Sequence, residues 1–179
     1  MRIYKSLFIL LIALFPYTAL ASIPERPYFT GYVYDYAQVI SASDELLINN
    51  YSKTTHNADA GQVIVVTVDS LDNLPIENYA LQLFNSWGIG SAEKSDGILI
   101  LFAPTERQVQ LTTGSGIDDQ FTGEDCGNLI DMYGIPLMAK NKFSEGIVSL
   151  TKSVCIKCCL DRSPLFDDIE MLLTINTLN

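Results

Sequence analysis

Two short apolar runs constrain this chain more than any other feature. Gly61 precedes QVIVVTV, a run rich in β-branched residues, and GILILF follows at 97–102, so both read as buried strands. Between them LDNLP breaks the chain, after which Ile76, Tyr79, Ala80, Leu83 and Trp87 fall on one stripe. That spacing predicts a helix from about Ile76 to Trp87, and WGIG places Gly88 where a left-handed cap is needed. Strand, helix and strand then form one right-handed crossover, the unit of an α/β fold.

The flanking segments extend this unit. Tyr34 to Ile40 can run along the domain, and Ser41 with Asp44 three residues later caps a helix to about Asn57, with Leu46, Leu47 and Tyr51 as its apolar face. PTER turns the chain into QVQLTT, where Val109 and Leu111 alternate with polar residues, which predicts a strand antiparallel to its predecessor and a mixed sheet. A loop, GSGIDDQFTGED, leads to a helix from about Glu124 to Met138, with Leu129, Ile130, Tyr133 and Leu137 inward and Pro136 kinking or ending it. A last helix starts near Lys142 on Phe143, Ile147, Leu150 and Val154, and residues 155–179 read as an appended tail.

The first residues belong to a different problem. MRIYK, the apolar run SLFILLIALF and Ala19-x-Ala21 follow one another as the three parts of a secretory signal, so residues 1–21 are expected to be cleaved and 22–30 to serve as a linker. Leu7 to Phe15 is too short to span a bilayer, and no later stretch approaches eighteen apolar residues, so no transmembrane anchor is expected after cleavage and the periplasm or the exterior is the expected location. With 21 acidic against 11 basic residues and a net charge of −10, nucleic acid and anionic membranes are disfavoured as partners. Cys155, Cys158 and Cys159 cluster while Cys126 stands apart; without a second ligand pair they read as an incidental cluster or a structural bridge rather than a zinc or redox site. His56, the one histidine, reads as solvated surface at the end of its helix.

Candidate chemistry gathers where acidic residues and glycines meet. Asp96 opens the strand at 97–102, and antiparallel pairing with 108–113 brings Gly114, Ser115, Gly116, Asp118 and Asp119 out at the same edge, with Glu124 and Asp125 opening the next helix. Carboxylates without His or Cys suit a hard ion such as calcium or magnesium, while Asp and Glu in a first helical turn are equally favoured by the helix dipole alone. The glycine pair lets backbone N–H groups approach a phosphate, or serves a tight turn. No Cys-x5-Arg, Arg-His-Gly, Asp-x-Asp or Gly-x-Ser-x-Gly signature is present, so a covalent nucleophile is not indicated.

Taken together, VYDYAQVIS at 33–41, GQVIVVTVDSL at 61–71, IENYALQLFNSWGIG at 76–90, KSDGILILFAPTERQVQLTTGSGID at 94–118 and IPLMAKNKFSEGI at 135–147 resemble the TPM domain, in its order and spacing, over roughly residues 31–154. The resemblance implies a three-layer α/β/α sandwich around a mixed, mainly parallel sheet with one antiparallel hairpin strand. It implies a family of exported or membrane-tethered proteins, some described as acid phosphatases and some as binding calcium or other divalent ions, with many lacking an established activity. Asp35, Asp96, Gly114, Gly116, Asp118 and Thr122 fall on family positions; Gly123 stands where the family commonly has Asp, with Glu124 and Asp125 following. On this basis Asp96, Asp118, Asp119 and Glu124 are expected to hold Ca2+ or Mg2+. Gly114, Ser115 and Gly116 are expected to bind the ligand, and Asp35 and Asp125 to act as ligand or general base on a phosphomonoester. The alternative is a non-catalytic, calcium-stabilised module that docks on another envelope protein.

Overall fold

Ser41 caps the first helix, its hydroxyl accepting the Asp44 N–H at 3.2 Å, whereas the stretch expected to extend from Tyr34 to Ile40 leaves its strand at Asp35 and turns at Tyr36 and Ala37, with Gln38 in the left-handed region. The structure, a computed structural model, describes residues 23–28 and 31–160; the expected signal segment and residues 161–179 lie outside them. In chain order the elements are β1 (Val33–Asp35), α1 (Ala42–Asn57), β2 (Gln62–Thr67), α2 (Ile76–Trp87), β3 (Gly97–Ala103) and β4 (Gln108–Thr113). A 3-10 turn (Ser115–Ile117), α3 (Gly123–Leu129), a π-turn (Ile130–Gly134), α4 (Ile135–Met138) and α5 (Phe143–Leu160) follow.

The sheet order is β1-β2-β3-β4. The first three strands are parallel and β4 runs antiparallel to β3, with Ile98 opposite Thr113 and Ala103 opposite Gln108. Strand residues therefore alternate between two cores. Val63, Val65, Ile98, Ile100 and Phe102 pack under Ile48 and Tyr51 of α1 and Ile147, Leu150 and Val154 of α5. Ile64, Val66, Leu99 and Leu101 pack against Tyr79, Ala80, Leu83 and Trp87 of α2, which ends at Gly88 in the left-handed conformation. Each fully buried aliphatic side chain contributes roughly 2 kcal/mol to this three-layer α/β/α sandwich. The segment before β1 is more than a spacer: the Trp87 indole donates to the Pro24 carbonyl at 2.8 Å, and Arg26 donates to the Trp87 carbonyl at 2.6 Å.

Three further local expectations are corrected. Leu46 is 67% exposed and Leu47 half-buried, because α1 faces the sheet with Ile48, Tyr51, Ser52 and Thr55, and Leu46 lies about 200° round the helix from Ile48. The expected helix from Glu124 to Met138 is interrupted by the π-turn just ahead of Pro136, where the missing N–H already breaks the helical ladder. The wider turn changes the period, so Leu129, Gly134 and Met138 are buried while Tyr133 is turned outward. Finally, α5 continues beyond Val154 to Leu160, and Cys155, Cys158 and Cys159 are buried in the core rather than starting a tail. Among the described residues no disulfide forms, and no helix is long and apolar enough to cross a membrane.

Candidate functional site

Parallel pairing places the start of β3 beside the start of β2, and the Asp96 carbonyl accepts the Gln62 N–H at 3.0 Å. The Asp96 carboxylate, only 6% exposed, turns back to accept the Ser91 N–H at 2.9 Å. The Gln62 side chain accepts the Gly90 N–H at 2.7 Å. These bonds close the loop between α2 and β3, so Asp96 acts as its internal staple.

The antiparallel register does carry the glycine segment to this edge of the sheet. Gly114 donates to the Gly97 carbonyl at 2.9 Å and Gly116 to the Ser95 carbonyl at 3.0 Å. A Cβ on Gly114 would lie 2.2 Å from the Ser95 oxygen, and one on Gly116 1.6 Å from the Lys94 oxygen. Glycine is needed here because two backbones touch. The same contacts direct the N–H groups of Gly114 and Gly116 into the protein rather than towards a ligand.

The side chains meanwhile diverge. Asp96 lines a cleft of about 190 Å3 with His56, Asp59 and Lys94. Gly114 and Ser115 border a second, about 460 Å3, with Leu81, Phe84 and Ser91. Asp118 borders a third, about 610 Å3, with Glu77, Leu81, Phe121 and Thr122. Asp119 and Glu124 are exposed and border none of the three.

Neither expected base joins them. Asp35 pairs in register with Thr67, which pairs with Phe102, so it sits at the opposite end of the strands from Asp96, roughly 20 Å away at about 3.3 Å per residue. Its carboxylate accepts from Val39 N at 3.2 Å, Ile40 N at 2.8 Å and the Thr67 hydroxyl. Asp125 completes a capping box with Thr122 and an ion pair with Lys157 of α5 at 3.1 Å. The Thr122 hydroxyl foremost, then Lys157, hold its carboxyl below the usual range, which weakens it as a base.

Among the described residues no group of three or more Asp, Glu, His or Cys side chains comes close enough to share an ion. The expected ligand set thus does not fit one calcium or magnesium ion, which needs six or more oxygens converging on a point. What the sequence reading overlooked is the third cleft, which follows the outer edge of β4 between α2 and α3. Its signal was available in QVQLTT, an end strand without charge or proline. Lys157 lies beyond the expected end of its helix at Val154, which the structure carries six residues further, to Leu160.

A mixed four-stranded sheet between one helix on one face and two principal helices on the other defines an α/β/α sandwich with parallel crossover strands and a closing hairpin. The TPM domain family model matches residues 33–155, and the chain belongs to that family. The N-terminal domain of a protein from P. gingivalis is 24% identical with a TM-score of 0.70, covering 74% of this chain and 85% of that one. The N-terminal domain of the cg2496 protein from Corynebacterium glutamicum is 19% identical with a TM-score of 0.57, covering 77% and 86%. The BA42 protein from Bizionia argentinensis is 14% identical with a TM-score of 0.59, covering 69% and 88%. These likenesses show a shared fold. Among curated proteins nothing matches the chain.

Proposed function

We propose that the chain is an exported, non-catalytic protein-binding domain. One observation carries this reading. The largest of the three clefts at this end of the sheet is an open trough along β4 that mixes apolar walls (Leu81, Phe121) with acidic rims (Glu77, Asp118). Such a surface suits a protein segment better than a phosphate dianion, which carboxylates repel unless a cation or clustered N–H groups reverse the local field. The dispersal of Asp35, Asp96 and Asp125 into separate structural hydrogen-bond sets supports the same reading. The leader-like residues 1–21 support export.

The test is phosphate release from p-nitrophenyl phosphate by the purified chain and by Asp96→Ala, each with calcium, magnesium or chelator. Rates equal to the buffer blank throughout are expected. A rate above the blank that falls in Asp96→Ala overturns the proposal and restores a phosphomonoester hydrolase. In parallel, the melting temperature is expected to stay unchanged between chelator and millimolar calcium; a rise with calcium assigns the chain an ion site.

A further inference from the structure

Among the described residues, the side of β4 that faces the trough leaves most of its main-chain hydrogen-bonding groups without a partner. The bond from Gly114 N to Gly97 O sets the antiparallel alternation, so Gln108, Gln110 and Thr112 bond to β3, and Val109, Leu111 and Thr113 turn their N–H and C=O groups outward. Among the described residues, only the Leu111 carbonyl has a partner on that side, the Gln110 side-chain amide at 3.1 Å. End strands are ordinarily guarded by lysine, proline or a bulge, and β4 has none of these. Leu81, 52% exposed on α2, stands over this edge and also borders the neighbouring cleft, so the trough continues past Thr113.

We infer that β4 accepts an extended, basic segment of a partner protein as a fifth strand, pairing with the outward groups of Val109, Leu111 and Thr113 between α2 and α3. The inference rests on the reading of the chain as a binding domain and specifies its partner. Strand addition supplies affinity through main-chain bonds, and the walls choose among side chains. Charge selects the occupant: Glu77 and Asp118 are exposed on the rims, the trough is lined by no Lys or Arg, and the chain carries −10 overall. A second copy would bring acidic rims and like net charges together, and residues 161–179 are themselves acidic on balance, so a basic foreign segment is favoured over both.

The experiment uses a fluorescent ten-residue peptide of alternating lysine and valine, with a glutamate–valine peptide as control, and amide hydrogen exchange resolved by NMR. The basic peptide is expected to bind and to slow exchange at Val109, Leu111 and Thr113, leaving Gln108, Gln110 and Thr112 unchanged because these already bond to β3. The pair Glu77→Lys and Asp118→Lys, both at exposed positions, is expected to weaken binding at least tenfold. Thr113→Pro, which removes an outward N–H without breaking the β3 ladder, is expected to do the same with an unchanged circular dichroism spectrum. Equal binding of the acidic peptide, or binding without protection at the three outward amides, overturns the inference. So does protection in the peptide-free chain that grows with protein concentration, which assigns the edge to a second copy, or that disappears on truncation after Leu160, which assigns it to the chain's own C-terminal segment. Failure of peptide binding with phosphate release at the blank leaves the binding-domain reading standing; hydrolysis removes that reading whatever the peptide does.

Discussion

Thr67, at the end of β2, donates its hydroxyl to the carboxylate of Asp35 at the end of β1. The same carboxylate takes the N–H groups of Val39 and Ile40, and the Thr67 oxygen takes that of Ala37 at 3.1 Å. One acidic side chain thereby organises the turn that carries the chain from the sheet to α1, and Thr67 itself is fully buried. Asp35→Ala leaves several of these donors unmatched, so a loss of about 2 kcal/mol in unfolding free energy is expected. Thr67→Val, which keeps the shape, is expected to lose about 1 kcal/mol. Urea denaturation measures both, and a stability equal to wild type for Asp35→Ala would contradict the anchoring role.

The glycines divide by what surrounds them. A methyl group on Gly116 would meet the Lys94 carbonyl at 1.6 Å, and a backbone atom cannot swing aside, so Gly116→Ala is expected to cost about 3 kcal/mol. Gly127 lies inside α3 with nothing within 4 Å of its added Cβ. There alanine only restricts the unfolded chain and favours the helix, for a gain of about 0.5–1 kcal/mol. Thermal melts of the two variants should therefore move in opposite directions. A ligand-cradling role for Gly116 without a structural one would instead leave its melt unchanged.

The architecture was legible because period and punctuation agreed. The all-apolar run of β3, the stripe on α2 and the cap at Gly88 each admit one local structure, and together they set the crossover. The antiparallel return of β4 was equally readable, and it correctly delivered Gly114 to the backbone of Gly97. Bringing backbones together does not bring carboxylates together, however. Asp96 turned to the Ser91 N–H because a buried carboxylate takes the nearest donor, and no one-dimensional pattern encodes that choice. The π-turn ahead of Pro136 escaped for a related reason: a five-residue turn rephases the helix, and Tyr133 moves outward although its spacing fits an inner face.

Glu106 ties the β3–β4 hairpin to the loop after β2. Its Oε1 accepts from the Ser70 hydroxyl at 2.7 Å and from the Leu71 N–H at 3.0 Å. Burial pushes its pKa upward, but the bonds from Ser70 and Leu71 outweigh it and hold the carboxyl below its usual 4.5. A carboxylate depressed in the folded state contributes stability above the unfolded value and loses it as pH falls through the folded one. Glu106→Gln is therefore expected to destabilise the chain by about 1 kcal/mol at pH 7 and by progressively less below pH 4.5. Unfolding free energies for the two proteins across pH 3–7 should converge at the acid end; parallel curves would assign the effect to shape rather than charge.

Cys155 faces α1 from the middle of α5 and is 6% exposed. Burial drives its thiol up to about 12, with a hydrogen bond to Thr55 pulling down and Cys159 adding to the rise. At pH 8 about one molecule in ten thousand would carry the thiolate, the form that attacks alkylating reagents. Burial raises Cys126 and Cys159 as well, but Cys126 is only half-buried. Iodoacetamide at pH 8 is accordingly expected to label Cys126 slowly in the folded chain and to reach Cys155, Cys158 and Cys159 only through unfolding. Their labelling rates should then rise together with urea and follow the global unfolding transition. Labelling of Cys155 in the absence of denaturant at the rate of an exposed thiol would mean that the end of α5 opens independently of the core it covers.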